Sequence, residues 1–375
     1  MTDSAELVRQ LVALPGPPGE ERAVAVWLSD YLLRIGCTPE IDAKGNVLVR
    51  LEGAPDNAKS PSSSSPLSSS DLNPALPDIL VTAHMDEIAL IVTKIEEDGK
   101  IRVAASGGVF TWKWGEGPVD ILTREEALTG ILSYGCIHTN DEKSVVEYAR
   151  HHPLDWGRAF VFTGLDRAEL TAKGVRPGIR VVIAPPRRNL TEFGPYLSGY
   201  FLDDRADLAA MLLAVETLTK PEGDQNTNEI SPAPRYRSLT FAATASEEVG
   251  GEGALFIMNR QPIDICIALE IGPRTPEADF PIDAQPTIWV RDGYAAMDSR
   301  DGDLLTDCCR ALGQTPHWQY LSRGGSDASC AAAKGLCARP VTLGFPVENS
   351  HGYEIMHRDA PNELARLLLQ YLKSV

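Results

Sequence analysis

The chain has 375 residues, 43% of them hydrophobic, and a formal net charge of -17 at pH 7. This length allows one large domain with a smaller one, and the apolar content is ordinary for a globular protein. The acidic balance argues against a general nucleic-acid or anionic-membrane surface, because both are usually recognised through basic patches.

Cysteine usage and hydropathy predict the compartment. The seven cysteines form no Cys-x-x-Cys pair, and most have apolar neighbours, as Cys266 does between two isoleucines. Free, buried thiols in a reducing compartment fit this pattern. The N-terminal segment has early acids and no apolar core, and no stretch approaches the ~18 apolar residues of a membrane span. We therefore expect a cytoplasmic protein without a membrane partner.

The N-terminal segment predicts two helices separated by a break. Leu7 and Leu11 recur at helical spacing, and a second apolar stripe follows the breaker Pro15-Gly-Pro-Pro18. Asp3 and Glu6 have the spacing of a capping box at the start of the first helix.

Composition divides the remaining chain into regions. Residues 54–77 are rich in serine and proline, which predicts a flexible loop inside a domain. The β-rich stretch 88–196 is typical of a small separate module. Beyond it, helical and strand patterns alternate, which predicts an α/β sheet with helices on both faces. We therefore divide the chain into a main domain, residues 1–87 and 197–375, and an inserted β domain.

Five histidine- or acid-bearing elements stand at the ends of predicted strands or in loops beside them. They are His84-Met-Asp86, Asp203-Asp204-Arg205, Glu247-Glu248, Glu270 and His351. Ligand sites of open α/β sheets lie outside the carboxyl ends of the strands, so these elements are expected to converge. Two histidines and three carboxylates form a mixed N/O set that suits two divalent ions and a bridging acid. Cysteine, which dominates closed structural zinc sites, is absent from every element.

Taken singly, most of these elements have an ordinary structural explanation. An acidic doublet is usually solvated surface, Asp203-Asp204 has the position of a helix N-cap with first-turn acids, and a lone loop histidine is usually exposed. Glu270 differs, because an acid that closes an apolar strand is costly unless it is paired, metal-bound or exposed. In extended chain Asp86 projects to the same side as His84, and it is expected to orient that imidazole.

The acidic doublet Glu247-Glu248 suggests hydrolysis. Adjacent side chains leaving a strand point to opposite sides, so one of Glu247 and Glu248 can hold a metal while the other faces the attacking water. The sequence contains no Gly-x-Ser-x-Gly elbow, no P-loop and no Gly-x-Gly-x-x-Gly after a strand. Hydrolysis by metal-activated water is the chemistry that remains.

The ordered set of motifs resembles the glutamyl aminopeptidase family of metallopeptidases, which includes the TET aminopeptidases and proteins once labelled cellulase M. The motifs are Ala83-His-Met-Asp-Glu87, the segment Gly174 to Val182, Asp203-Asp-Arg205, Ser246-Glu-Glu-Val-Gly250, Gly324-Gly-Ser-Asp-Ala328 and Ser350-His351. The resemblance covers nearly the whole chain except the Ser-rich loop.

This resemblance implies a zinc-peptidase-like catalytic domain, with a mixed sheet sandwiched by helices, and an inserted β-barrel-like domain. It implies two divalent ions, zinc or cobalt, with Asp203 bridging them. The implied ligands are His84, Asp203, Glu248, Glu270 and His351. Glu247 would be the general base, Asp86 would hold His84, and the Asp203-Asp204 peptide would have unusual geometry.

The implied activity is removal of N-terminal residues from short peptides. In the family the inserted domain contributes to dimer contacts, which lead towards tetrahedral dodecamers, so a homo-oligomer is expected. The chain departs from the family's usual residues in three places: Glu270 replaces Asp, Ser246 replaces Gln, and the segment Glu348-Asn-Ser350 replaces Arg-Tyr-Met. The last segment lies near the substrate in similar enzymes, so substrate specificity is where this chain is expected to differ.

Three other functions compete with this interpretation. A related binuclear hydrolase would act on dipeptides or N-acyl amino acids, and a scaffold protein would carry a vestigial site. The intact set of ligand positions and the base count against the scaffold. An endoglucanase would need a catalytic carboxyl pair without metals, against which the two histidines count.

Overall fold

The computed structural model describes residues 3–53, 76–220 and 235–375. The loop predicted over residues 54–77 therefore lies outside the described residues, apart from its last two. The described helices are α1 Ser4–Val12, α2 Arg22–Arg34, α3 Thr111–Trp114, α4 Val145–Ala149, α5 Arg167–Ala172, α6 Leu202–Thr219, α7 Glu252–Met258, α8 Ser299–Leu312, α9 Asp327–Ala333 and α10 Ala360–Leu372.

The described strands form two sheets and a barrel. They are β1 Glu40–Ile41, β2 Val47–Glu52, β3 Asp78–His84, β4 Ala89–Ile95, β5 Ile101–Ser106, β6 Gly117–Leu122, β7 Ala127–Ser133, β8 Phe160–Phe162, β9 Arg180–Ile183, β10 Thr191–Phe193, β11 Tyr196–Gly199, β12 Ser238–Thr244, β13 Ile263–Leu269, β14 Gly272–Pro273, β15 Thr287–Arg291, β16 His317–Tyr320, β17 Cys337–Gly344, β18 Pro346–Glu348 and β19 Glu354–His357.

The central sheet has eight strands in the order β1-β2-β12-β3-β13-β17-β15-β16. Its four middle strands, β12, β3, β13 and β17, are mutually parallel. Thr244 at the end of β12 lies opposite His84 at the end of β3, and Leu269 at the end of β13 lies opposite Leu343. The carboxyl ends of these strands therefore meet at one edge of the sheet.

Helices cover both faces of the central sheet, because successive residues of a buried strand point to opposite sides. In β3, Ile79 and Val81 pack with residues of α1, α2, α6, α8 and α10. Leu80, between them, packs with Ile257 of α7 and Ala331 of α9 on the opposite face. The predicted mixed α/β fold with helices on both faces is confirmed.

Strands between residues 89 and 183 close into a six-stranded barrel in the order β4-β5-β8-β7-β6-β9. The barrel has its own core, in which Trp114, Val161 and Val181 are buried. The five-stranded second sheet has the order β10-β11-β19-β18-β14, so the chain leaves the barrel before β10. The predicted β-rich character of this stretch is confirmed, while its division from the main domain at residues 88 and 196 stays a prediction.

The first helix begins as predicted but is capped differently. The Asp3 carboxylate accepts a hydrogen bond from the amide of Ala5 at 3.1 Å, which makes Asp3 the N-cap. Glu6 does not return a bond to Asp3, because its carboxylate pairs instead with Arg9 and Gln10. The capping-box prediction was therefore wrong in its second half.

All seven cysteines are free, and six of them are buried, as their apolar neighbours predicted; Cys136 is exposed. Among the described residues, no helix combines the length and the apolar character that crossing a bilayer requires.

Candidate active site

The predicted site residues converge at the edge where the parallel strands end. His84 closes β3, Glu247 and Glu248 follow β12, and Glu270 follows β13. The remaining two come from the flanks: Asp203 from the first turn of α6 and His351 from the loop after β18. Their side chains form two groups whose potential ligand atoms lie within 4.8 Å of one another: His84, Asp203, Asp204 and Glu270 in one, and Asp203, Glu248 and His351 in the other.

Asp203 belongs to both groups. Its Oδ1 lies 3.1 Å from Nε2 of His84, and its Oδ2 lies 3.3 Å from Nε2 of His351. On the outer sides, Nε2 of His84 is 3.9 Å from Glu270 Oε2, and Nε2 of His351 is 3.8 Å from Glu248 Oε1. One carboxylate oxygen thus faces each imidazole, which is the arrangement that a bridging carboxylate requires.

Backbone carbonyls fix both imidazoles. Nδ1 of His84 lies 3.0 Å from the carbonyl oxygen of Asp86, and Nδ1 of His351 lies 3.0 Å from that of Gly108. Because a carbonyl only accepts, Nδ1 donates in each ring, and this bond turns Nε2 towards the cluster. Nε2 is therefore the ring nitrogen that would bind a metal ion in both histidines.

Asp86 reaches His84 mainly through its main chain. Its carboxylate Oδ1 is 3.5 Å from Nδ1 of His84, farther than its own carbonyl oxygen. The carboxylate instead accepts hydrogen bonds from the amides of Glu247, at 2.9 Å, and Glu248, at 3.0 Å. Asp86 thus orients His84 through its carbonyl oxygen and holds the amides of Glu247 and Glu248 through its carboxylate.

The barrel contributes to the site beside His351. Besides the Gly108 carbonyl, Lys113 of α3 donates from Nζ to Asn349 Oδ1 at 2.6 Å and to the Ser350 carbonyl at 3.0 Å. The segment that follows β5 therefore supports the loop that carries His351. The sequence offered no indication of this contact, because the two segments are more than 230 residues apart.

Backbone strain is concentrated in this region. In the part of the chain that the structure describes, four non-glycine residues have positive φ: Phe201 (66°), Ser246 (59°), Asn349 (64°) and His351 (59°). Each is one of the candidate ligands or lies within two residues of one. A left-handed conformation costs roughly 1–2 kcal/mol for a residue with a side chain, and such strain is typical of functional sites. The peptide bond between Asp203 and Asp204 is cis.

Glu354 is a buried acid that the sequence did not reveal as part of the site. Its Oε2 accepts from the amide of Asp203 at 3.0 Å, and its Oε1 accepts from the amide of His351 at 2.8 Å. Burial, reinforced by the charge of Asp203, raises the pKa of Glu354 to about 8. Glu354 thus joins the backbones of Asp203 and His351.

The cluster contains more carboxyl groups than side chains that can carry a positive charge. Burial raises the pKa of Glu248 to about 7 and raises the pKa of Glu247 and of Glu270 well above the usual value. Burial acts the same way on Asp203, but hydrogen bonds to His351 and His84 outweigh it and hold the pKa of Asp203 below its usual value. Ionised together, these groups need additional positive charge nearby.

The residues fit divalent cations. The donors are imidazole nitrogens and carboxylate oxygens, which suit zinc, cobalt and similar ions. Buried Oδ1 of Asp204 has no hydrogen-bond partner among the described residues, and Oδ2 of the same residue accepts from the amide of His84 at 2.7 Å. A cation in this cluster would compensate charge that the protein leaves unpaired.

Arg205, the last residue of the Asp203-Asp204-Arg205 motif, is fully buried and lies in a separate ion cluster. Its Nη2 donates to Glu87 Oε2 at 3.2 Å, and Arg188 pairs with the same carboxylate through Nη1 at 2.9 Å. This cluster ties α6 to the chain after β3 and so supports the site from behind.

The cluster opens into a cleft of about 380 Å³. Candidate site residues form part of its lining, and the rest is largely apolar. The lining includes His84, Asp203, Glu247, Glu248, Glu270, His351, Ile271, Pro273, Trp289, Tyr294, Leu321, Arg323 and Cys330. The motif Gly324-Gly325 also borders the cleft, beside Arg323. The site is thus open to a molecule the size of a small peptide segment, unlike a closed structural metal site.

A mixed α/β sheet with imidazoles and carboxylates gathered beneath an open cleft, at the carboxyl ends of its strands, is the arrangement of metal-dependent hydrolases. The family model described as M42 glutamyl aminopeptidase matches residues 70–367, and the chain belongs to that family. The resemblance seen in the motifs is confirmed.

Two curated relatives illustrate the similarity. Glutamyl aminopeptidase of Lactococcus lactis is 30% identical over 354 residues, which is 92% of this chain and 89% of the relative. Lysyl aminopeptidase of Pyrococcus furiosus is 25% identical over 268 residues, or 71% of this chain, and the aligned part spans 66% of that relative's length. The two names differ in the terminal residue, so the alignments leave the preferred residue open.

Among solved structures, the chain resembles the Pyrococcus horikoshii TET1 peptidase, which can assemble into a tetrahedron or a large octahedral shell. The TM-score is 0.78 at 21% identity, and the match covers 98% of each chain. This likeness confirms the fold.

Proposed function

We propose that the protein is a metal-dependent aminopeptidase that removes N-terminal residues from short peptides. The observation that carries the proposal is the sharing of Asp203 between two groups of potential ligands, beside Glu247, in one open cleft. Membership of the M42 glutamyl aminopeptidase family supports the reaction class.

His84, Asp203 and Glu270 would hold one divalent ion, and Asp203, Glu248 and His351 would hold a second. Zinc and cobalt suit this donor set. When bound, such ions polarise the scissile carbonyl and make water a stronger nucleophile at neutral pH.

Glu247 is the general base in this proposal. Its side chain lines the cleft, and its amide is fixed by Asp86. The Glu247 carboxylate takes a proton from the attacking water and later gives it to the nitrogen of the leaving amine. Burial raises the pKa of Glu247, which helps the carboxyl group to hold the proton between the two steps. The positive charge of bound ions would favour the ionised carboxylate that the first step needs.

Family membership favours a free amino terminus over a blocked one. The matching family model is described as a glutamyl aminopeptidase, and both curated relatives are aminopeptidases. In the metal-loaded cleft the charges of Glu248 and Glu270 would be offset by the ions that they bind. The deacylase alternative has no comparable support.

The proposal is tested with matched peptides. We expect the metal-loaded protein to hydrolyse a free-amine tripeptide with a kcat/KM at least about 100-fold higher than that for the same tripeptide with an acetylated N-terminus. Release of the N-terminal amino acid, followed by chromatography, measures this directly. Equal or faster cleavage of the acetylated peptide would favour the deacylase function instead.

Assembly and location are part of the same proposal. Phe110, Trp112 and Ile137, in and beside the barrel, are 62%, 71% and 68% exposed, which supports an oligomer built through the inserted domain. We propose a homo-oligomer based on dimers, with a dodecamer as the larger form, working in the cytoplasm, where its free thiols remain reduced.

A further inference from the structure

Three successive amides at the end of β12 are held by two carboxylates from other parts of the chain. The amides of Glu247 and Glu248 donate to the two oxygens of Asp86. The amide before them, that of Ser246, donates to Glu21 Oε1 at 3.0 Å. Asp86 adjoins the site in sequence, whereas Glu21 is 225 residues away from Ser246.

Glu21 accepts more than one bond at this place. Oγ of Ser246 donates to the same Oε1 at 3.1 Å, and the amide of Gly19 donates to it at 2.7 Å. Glu21 is 7% exposed and occupies the N-cap position of α2. Its carboxylate makes no capping bond to that helix. Capping therefore does not explain why this acid is buried.

Ser246 needs such support. Its φ of 59° is left-handed, a conformation that is unfavourable for a residue with a Cβ. The two hydrogen bonds that Ser246 donates to Glu21 favour this conformation, because bonds to a carboxylate are stronger than bonds between neutral groups. Since Ser246 directly precedes the doublet, its backbone angles set the direction in which Glu247 and Glu248 leave the strand.

The loop that carries Glu21 is itself anchored to the site and to the barrel. The carbonyl of Gly16 accepts from the amide of Glu87, next to Asp86, at 3.0 Å. The carbonyl of Pro18 accepts from Nε and Nη2 of Arg180, in β9, at 3.1 and 3.0 Å. Glu21 is thus presented from a fixed position.

We infer that Glu21 is a positioning residue for the proposed reaction: it holds Ser246 in the left-handed conformation and so aims the carboxylates of Glu247 and Glu248 into the cleft. The inference rests on the proposed function for its catalytic consequence, while the structural restraint can be measured without any activity.

The test compares Glu21→Ala, Glu21→Gln and the control Glu20→Ala, which removes the neighbouring exposed carboxylate. Hydrogen exchange of the segment 245–250 is expected to accelerate in Glu21→Ala, and kcat to fall about 10- to 100-fold with a smaller change in KM, because the base is misplaced. Glu21→Gln keeps an acceptor oxygen and should lose less than about tenfold, since neutral bonds are roughly half as strong. Glu20→Ala should match the wild type in both measurements.

A second substitution separates positioning from general stability. Glycine adopts positive φ without a Cβ penalty, so Ser246→Gly in the Glu21→Ala background is expected to recover part of the lost kcat. If Glu21→Ala does not fold, Ser246→Ala removes one bond and leaves Glu21 in place, and exchange of 245–250 should still accelerate.

Unchanged exchange and unchanged kcat in Glu21→Ala would overturn the inference, as would unchanged exchange in Ser246→Ala when that variant is the one measured. A failure of Ser246→Gly to recover any activity would also count against it. A wild type that hydrolyses no free-amine peptide but shows Glu21-dependent exchange would contradict the proposed function and leave the positioning role supported.

Discussion

Asp203→Ala is expected to lose bound metal and peptide hydrolysis together. Asp203 presents one oxygen to each histidine, so its removal takes a ligand from both groups at once. It also leaves Glu270 and Glu248 in two groups without the acid that joins them. Metal content by plasma mass spectrometry should fall for both ions, and activity should fall to background.

The matched control for this variant is Asp307→Ala. Asp307 has a side chain 70% exposed and pairs only with Arg310 on the surface of α8 among the described residues. It should retain the metal content and the rate of the wild type. Full metal occupancy in Asp203→Ala would contradict the bridging role.

Glu247→Gln is expected to keep its metals and lose turnover. The amide has the size of the carboxylate, but it cannot take a proton from water, and loss of a general base typically costs 10²–10⁴-fold in rate, or about 3–5 kcal/mol. We expect kcat to fall by that factor with metal content unchanged. The measurement is kcat on a free-amine peptide beside metal analysis of the same sample.

Glu252→Gln makes the same chemical change four residues beyond the doublet. Its side chain is 53% exposed and pairs with Lys44, outside the cleft lining. We expect its kinetics to match the wild type. A Glu247→Gln enzyme with an undiminished rate would remove Glu247 as the base.

The parts of the fold that were predictable carry local signals. The apolar runs of β3, β12 and β13 were evident in the sequence because buried parallel strands need uninterrupted apolar residues. Once those strands were placed, the positions of His84 and Glu270 at their ends followed from chain order alone. Ligand sites of open α/β sheets lie outside the carboxyl ends of the strands, and this rule predicted that these residues meet at one edge of the sheet.

The supporting residues had no such signal. Glu21 and Glu354 act through backbone amides of residues brought near them by folding, and an acid that accepts from a distant amide looks like any other acid in sequence. The carboxylate of Asp86 was expected to orient His84, but it accepts hydrogen bonds from the amides of Glu247 and Glu248. The expectation used the alternation of side chains in extended chain, which applies within a strand, and β3 ends at His84. Beyond that point the direction of a side chain depends on tertiary contacts, here with the doublet.

The most direct test of the central claim is metal titration of the wild-type protein. After removal of metal with a chelator, zinc or cobalt is added back while metal per subunit and hydrolysis of a free-amine peptide are measured on the same samples. We predict no hydrolysis without metal and a rate that rises to a plateau when two ions are bound per subunit. Full hydrolysis by the metal-free protein would contradict the account.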